Sequence, residues 1–431
     1  MKKVLIITYY WPPAGGPGVQ RWLKFVKYLP EFDIEPIVYC PKNPTYPTAD
    51  PSLCNEISKQ LKVLKQPISE PLGFLNRFLK SKANTLSKGL IPTPKKQSFL
   101  IRLLLFIRGN FFIPDARVLW VKPSVKFLSN YISKHQIDTI ITTGPPHSVH
   151  LIGLGLKSKH SLKWFADFRD PWTAIGYHNQ LKLSKSSQKK HLALESKVLK
   201  SSDHIIVTAP RTKQILSGIS KQPISVITNG FDEISNTRVE MDTMFTLTHV
   251  GMLTPQRNPN LLWEVLFELT QELTHFKDKF KLVLIGNISK EVLEIIGESG
   301  LEPYLENKGI LPHRDAVLSQ KASQVLLLIE ADTDSASYII PAKLFEYLNS
   351  CRPIVAMGPK PSDVESILND TAAGAYFDYR DKDRLKVHLA QLFKSYETKS
   401  ISIKPKQVQQ YSRRARTQAL ARLLTSCNSF K

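Results

Sequence analysis

Apolar residues in this chain alternate between two patterns. Short uninterrupted runs at Val4–Thr8 (VLIIT), Thr139–Thr142 (TIIT), His204–Thr208 (HIIVT) and Ile224–Thr228 (ISVIT) have the length and β-branched content of strands buried on both faces of a parallel sheet. Pro36–Tyr39 and Lys163–Ala166 add two shorter strands. Between them lie an amphipathic helix from about Val19 to Leu29 and a long polar helix over Ser184–Lys200. A second series follows, with strands at Leu247–Val250, Lys281–Ile285, Gln324–Ile329 and Pro353–Ala356 and helices between them. A last helix, about Gln407–Ser426, carries Arg413, Arg414, Arg416 and Arg422. Strands that alternate with helices predict parallel sheets, so the fold class is α/β, with two Rossmann-like domains facing across a cleft. The mostly polar stretch Ser235–Asp242 reads as the linker. Residues 55–130 break the rhythm and read as an insertion, rich in Lys, Leu, Phe and Ser, with a basic apolar stretch at Phe99–Phe112. The expected domains are 1–235, carrying this insertion, and 240–405. Residues 406–431 form a C-terminal helix that packs back on the first domain.

Composition sharpens this picture. A chain of 431 residues with 42% hydrophobic and 22% charged residues has the make-up of a globular protein of two cores. Its 59 Lys and Arg against 37 acidic residues leave a net charge of +22. Such an excess attracts nucleic acid, nucleotide phosphates or an anionic membrane face, or else is a basic, solvated surface. Cys40, Cys54, Cys351 and Cys427 are scattered without zinc spacing, which fits a reducing cytoplasm and no structural metal. The start, Met1 to Trp11, is apolar only briefly and runs into Pro12-Pro13-Ala14-Gly15-Gly16. It reads as a buried strand and Gly-rich turn rather than a signal peptide. No run of eighteen apolar residues predicts a transmembrane helix.

Candidate chemistry sits where predicted strands end. After the first strand, Gly15-Gly16-Pro17-Gly18 would let backbone N–H groups approach a phosphate or sugar at a helix N-terminus, with Arg21 one turn on. A plain tight turn is the alternative. The spacing is not that of a dinucleotide fingerprint. After the first strand of the second half comes Gly251-Met252-Leu253-Thr254-Pro255-Gln256-Arg257, a glycine followed by a cation whose fork suits a diphosphate. The most specific signal is Pro341-Ala342-Lys343-Leu344-Phe345-Glu346-Tyr347-Leu348. Pro341 opens a helix, Lys343 makes its N-terminus an anion site, and Glu346 lies three residues on along the same face. A carboxylate there can accept hydrogen bonds from two ribose hydroxyls.

This segment resembles the donor-binding motif of the GT-B glycosyltransferases, especially those similar to glycosyltransferase family 4. Asn229-Gly230-Phe231-Asp232 resembles that family's Asn-Gly-Val-Asp turn, and Gly251 with Arg257 resembles its phosphate loop. The resemblance spans nearly the whole chain. It implies a nucleoside-diphosphate-sugar donor held by Gly15, Gly16, Asn229, Gly251, Arg257, Lys343 and Glu346, with Arg257 and Lys343 on the departing phosphate. It further implies transfer with retention and without a metal. Two departures stand out: the first of the family's paired glutamates falls on Tyr338, and the Arg that commonly follows the loop glycine is Met252.

In the first half, Gly144-Pro145-Pro146-His147-Ser148 and Asp167-Phe168-Arg169-Asp170-Pro171-Trp172 follow predicted strands. His147 or Asp170 is the candidate to orient an acceptor hydroxyl or take its proton. Asp332-Thr333-Asp334 resembles a metal-binding triplet and is read as a polar donor-side loop, so no metal and no cofactor are expected. Lys95, Lys96, Arg102 and Arg108, interleaved with Leu, Ile and Phe, suit a helix lying on an anionic membrane surface; an internal helix with basic edges is the alternative. The resulting expectation is a hexosyltransferase-type glycosyltransferase of cell-surface polysaccharide or glycolipid synthesis. It is cytoplasmic and peripheral on the inner face of the membrane, and it acts on a saccharide or lipid-linked acceptor. A GT-B sugar-nucleotide epimerase and a basic nucleic-acid-binding protein are the rival readings; nucleic acid is not an expected partner.

Overall fold

The computed structural model describes residues 1–70, 99–174, 181–232, 239–401 and 403–426. The chain divides into two compact units, Met1–Thr228 with Arg413–Lys431, and Asn229–Ser412. Each is built on an all-parallel sheet with helices on both faces.

The first unit contains β1 (Lys2–Thr8), β2 (Ile34–Pro41), β3 (Lys62–Gln66), β4 (Thr139–Gly144), β5 (Lys163–Phe168), β6 (His204–Val207) and β7 (Ile224–Val226), in the spatial order β3-β2-β1-β4-β5-β6-β7. Its helices are α1 (Pro17–Tyr28), α2 (Phe99–Phe111), α3 (Val121–His135), α4 (Ser148–Lys157), α5 (Lys185–Ser201) and α6 (Pro210–Ser217), with α13 (Arg413–Ser426) returning from the chain's end. Both faces of β1 are dry, which is why it reads as one apolar run. Val4 and Ile6 join Trp22 and Val26 of α1 and Leu420 and Leu424 of α13, while Leu5 and Ile7 face Leu128 of α3, Ile152 of α4 and Val198 of α5. The α13 helix is held polar-side as well: Arg413 reaches Gln20 at 2.8 Å, Arg414 pairs with Glu31 at 2.7 Å, and Lys2 donates to the Leu424 carbonyl at 2.8 Å.

The second unit has β8 (Phe245–Val250), β9 (Phe280–Ile285), β10 (Leu305–Gly309), β11 (Val325–Ile329), β12 (Ile354–Met357) and β13 (Gly374–Phe377), ordered β10-β9-β8-β11-β12-β13. Its helices are α7 (Asn260–Glu272), α8 (Lys290–Glu298), α9 (His313–Ala322), α10 (Lys343–Ser350), α11 (Asp363–Thr371) and α12 (Lys382–Glu397). The larger core joins Leu262, Trp263 and Leu266 of α7, Ile296 of α8 and Phe393 of α12 to Phe245 and Leu247 of β8. In both sheets the chain moves outward from the first strand and then jumps back to its other side. The reversal points, β1/β4 and β8/β11, are where ligands bind in open α/β sheets, beyond the strands' carboxyl ends.

The structure departs from three sequence expectations. Residues 55–130 are not one insertion: Lys62–Gln66 forms edge strand β3, paired with β2 through Val63 and Val38, and Val121–His135 is helix α3 of the sheet's outer layer. Lys62 and Lys65 point to solvent on β3, as edge strands favour, so the run carries too few apolar residues to read as sheet. The boundary between units lies at Thr228/Asn229, ahead of the linker expected at Ser235–Asp242. Phe231 is already tied into the second unit, its N–H donating to the Tyr411 carbonyl at 3.1 Å. The last helix does not run from Gln407: Val408–Tyr411 is a separate turn, Ser412 is extended, and α13 starts at Arg413. Among the described residues no helix is long and apolar enough to cross a membrane.

Candidate active site

Helix α10 is the organising element of the second unit. Its spacing puts Lys343 and Tyr347 one turn apart, and both reach the switch point. The Tyr347 hydroxyl accepts from the Val250 N–H at 2.9 Å and lies 3.3 Å from the Leu327 carbonyl, so it ties the ends of β8 and β11 together. Lys343 Nζ stands 3.4 Å from His249 Nε2, and a Cβ built on Gly251 would lie only 2.8 Å from it. Gly251, at φ 132°, is glycine both for its backbone and for this ammonium. Beside it Gly286 has φ 125°, and a Cβ there would sit 2.2 Å from the Gly251 carbonyl oxygen. Two strand-end loops thus cross with bare backbone, closer than side chains at Gly251 and Gly286 would allow.

Electrostatics concentrate at the same place. Burial pushes the Lys343 ammonium down to about 7; Arg257 reinforces this and Glu346 opposes it. Burial, then Lys343, holds His249 well below its ordinary value, so its ring is neutral. Lys343 and Arg257 therefore lie near enough for each charge to act on the other. Arg257 comes from the short turn Pro255–Arg257, and the preceding Gln256 carbonyl accepts from the Asp332 N–H at 3.3 Å, which sets the two loops side by side. Glu346 faces α9: His313 Nε2 lies 3.1 Å and Gln320 Nε2 3.3 Å from its carboxylate oxygens. Asn229 is the first residue of the unit. Its neighbour Phe231 contacts Tyr411, whose ring lies 5.4 Å from that of Phe345 on α10. Of the donor residues expected from sequence, Gly251, Arg257, Lys343 and Glu346 are thus gathered around one strand end, whereas Gly15 and Gly16 belong to the first unit.

A further carboxyl closes the loop after β11. Glu330 is buried, accepts from Tyr376 at 2.7 Å and Ser362 at 3.1 Å, and is pushed up to about 7 chiefly by burial. Among the described residues no group of three His, Cys, Asp or Glu side chains could hold a metal ion, and Asp332 is not part of one.

In the first unit the Gly-rich turn caps α1, with Gly16 at φ 105° and the Gly15 N–H donating to the Thr48 carbonyl at 3.0 Å. Arg21 does not reach out toward a ligand. It is buried against Asp167 (3.3 Å) and the Thr228 carbonyl (2.7 Å). Asp167 also accepts from Trp22 Nε1 and Thr143 Oγ1, both at 2.8 Å. Arg169 is the cation that stays partly exposed: its Nε donates to the Gly144 carbonyl at 3.1 Å, and its guanidinium fills the space over Gly18, where a Cβ would clash at 1.4 Å. His147 is enclosed, with 3% of its surface exposed and its ring stacked on Trp172 at 4.9 Å and 4°. Asp170 keeps partial exposure, and burial raises its carboxyl above the ordinary range while Arg169 opposes this. Of the two acceptor-side candidates, Asp170 is the more exposed.

No known protein family and no curated protein matches the chain. Solved structures do match. A glycosyltransferase from Rickettsia africae ESF-5 is 13% identical, covers 100% of both chains and has a TM-score of 0.63. The lipopolysaccharide outer core galactosyltransferase WaaB in its apo form is 16% identical over 99% of each chain, with a TM-score of 0.60. A TarM mutant from S. aureus, solved in complex with Fondaparinux, alpha-GlcNAc-glycerol and UDP, is 12% identical over 99% of this chain and 100% of that one, with a TM-score of 0.61. The chain has the GT-B fold of glycosyltransferases. The GT-B fold assigns each unit its Rossmann-like sheet, and chemistry is then a matter of the site.

Four residues of this GT-B chain had no role assigned from sequence: His249 and Glu330, and, within segments already singled out, Tyr347 and Asp167. Each is a polar residue at or within an apolar strand or helix face, and that contrast was the available signal. Their partners lie far along the chain: Tyr347 and Val250 are 97 residues apart, Asp167 and Trp22 145.

Proposed function

We propose that the chain transfers a sugar from a nucleoside diphosphate to a hydroxyl of a saccharide or lipid-linked acceptor, with retention and without a metal. The observation that carries this reading is the meeting of Lys343, Arg257 and Glu346 around the bare Gly251 loop at the β8/β11 switch point. In this reading the diphosphate lies over Gly251 between the two cations, and the ribose hydroxyls replace His313 and Gln320 on Glu346. The acceptor oxygen bonds to the anomeric carbon as the bond from that carbon to the β-phosphate oxygen breaks. The electron pair leaves on the phosphate, where Lys343 and Arg257 stabilise it, and the acceptor proton passes to a general base or to the departing diphosphate itself. Retention and metal independence rest on the family resemblance.

A thermal-shift screen of UDP-, GDP-, ADP- and dTDP-sugars tests the donor site. One nucleotide is expected to raise the melting temperature of the wild type and to do so much less for Glu346→Ala. No response to any of the four would refute the reading. Product analysis without acceptor separates transfer from epimerisation, since an epimerase would convert the donor alone.

The acceptor is proposed to be presented at an anionic membrane surface. Helix α2 buries Leu105 but exposes Leu103, Phe106 and Phe111, the last at 73%. Asn110 joins it to the segment at Lys182 and Ser184, beside exposed Lys185, Lys189 and Lys190 at the start of α5. Apolar side chains next to lysines suit an interfacial helix. Lys95 and Lys96 lie outside the described residues. Flotation with phosphatidylglycerol vesicles is expected to recover the protein, and Phe106→Asp with Phe111→Asp to abolish recovery; unchanged recovery would remove the membrane from the proposal.

A further inference from the structure

The Lys343 side chain is long and flexible, yet it must hold its charge over Gly251 before any phosphate arrives. Among the described residues, what holds it is not a carboxylate. The polar contact seen at Nζ is the Nε2 of His249, at 3.4 Å, from the last residue but one of the neighbouring strand β8. The opposite ring nitrogen, Nδ1, lies 3.1 Å from the Leu327 carbonyl on β11. A carbonyl can only accept, so Nδ1 carries the proton of the neutral ring and Nε2 presents a lone pair. The ring is fully buried and cannot rotate to water.

We propose that His249 is a positioning residue for Lys343: its tautomer, set by Leu327, offers Nε2 to one ammonium hydrogen and so aims the remaining two at the diphosphate site over Gly251. This rests on the donor-site reading above and adds to it how that site is organised without a ligand. An acidic partner would neutralise Lys343 and compete with the phosphate. A neutral acceptor orients the charge and leaves it available. Burial keeps the ring neutral and the Lys343 charge beside it adds to this; the Leu327 carbonyl opposes them, and Arg257 and the Met252 backbone are smaller influences. Protonation would turn Nε2 into a donor and push Lys343 away.

Two substitutions dissect the ring. His249→Asn keeps a donor where Nδ1 sits and loses the acceptor at the Nε2 position, whereas His249→Gln can place an amide oxygen there. Dissociation constants are measured for UDP, GDP, ADP and dTDP, and the tightest binder of the wild type is carried through. His249→Asn is expected to weaken it by about 10- to 100-fold, the scale of a charged group misplaced by about an ångström. His249→Gln should recover most of the loss. In a Lys343→Met background, His249→Asn should cost nothing more. Wild-type affinity in His249→Asn, no rescue by Gln, or a full additional loss on top of Lys343→Met would each overturn the inference. If Lys343→Met itself binds like the wild type, the donor-site reading fails and the inference falls with it. Should His249→Asn not fold, as judged by circular dichroism, His249→Leu takes its place in the same cycle: a loss that His249→Gln does not share and that vanishes in the Lys343→Met background supports the role, and wild-type affinity of His249→Leu refutes it.

Discussion

Lys343→Met is expected to lower kcat/KM for the sugar donor by about 100- to 1,000-fold or more, the loss seen when one pre-set donor to a developing oxyanion is removed. Methionine nearly matches the volume of the lysine stem, so Leu344, Phe345 and Leu348 should keep their packing and the fold should survive. Stability is expected to rise, and the sign follows from linkage. The folded-state value of Lys343 is lowered to about 7 from 10.5. Between those values the unfolded chain binds more protons, so the wild type gains stability as pH rises through that window, and the cost of the buried charge is present in full below it. Lys343→Met removes that cost, so its stability advantage should be largest at or below pH 7 and shrink above it. Binding should show the mirror image. Above about pH 7 the free enzyme loses the ammonium that the diphosphate needs, and the nucleotide dissociation constant of the wild type should rise by up to about tenfold per pH unit. Glu330 is also placed at about 7, so the profile is repeated on Glu330→Gln to assign it. A Lys343→Met enzyme with undiminished kcat/KM would remove the lysine from the mechanism.

Asp167→Ala is expected to destabilise the first unit by about 3–5 kcal/mol, the cost of leaving a buried charge without its partner. Arg21 is 4% exposed, and Asp167 is fully enclosed. Burial lowers the guanidinium's proton affinity, and Asp167 is the main influence that restores it. Truncating the carboxylate also orphans the Trp22 indole N–H and the Thr143 hydroxyl, each of which has a bond of 2.8 Å to it. The Thr228 carbonyl would remain as a partner for Arg21, but it cannot balance the charge. Chemical unfolding should therefore show an early transition for the first unit, while the nucleotide-induced shift of the second persists. Arg21→Met combined with Asp167→Ala should recover a good part of the loss, because the charge is removed together with its partner. An Asp167→Ala protein with wild-type unfolding would mean that the cluster contributes nothing to the fold.

Lys343 and Asp167 sit at opposite ends of what a linear reading can reach. Lys343 and Glu346 announce themselves because a helix places residues three apart on one face, and Pro341 marks where that helix begins. Arg21 misleads for the same reason. Its place one turn into α1 suggests a phosphate ligand, but it is also the right distance from β5 to pair with Asp167, and only the sheet order β1-β4-β5 brings the two together. His147 is a similar case: a histidine after a strand suggests catalysis, and the Trp172 ring that encloses it comes from the next strand's loop.

By itself the sequence determined the central strands, which are apolar on both faces because helices cover both, and the helix α10 motif, whose geometry is local. It also determined the α/β class with two sheets. Tertiary structure decided the rest. The edge strands β3, β10 and β13 are half-exposed and carry mixed residues, so pairing with a neighbour rather than composition makes them strands. The roles of His249, Tyr347 and Asp167 are set by partners brought near through strand order. A parallel sheet joins residues that are distant in sequence, and no periodicity along the chain records those meetings.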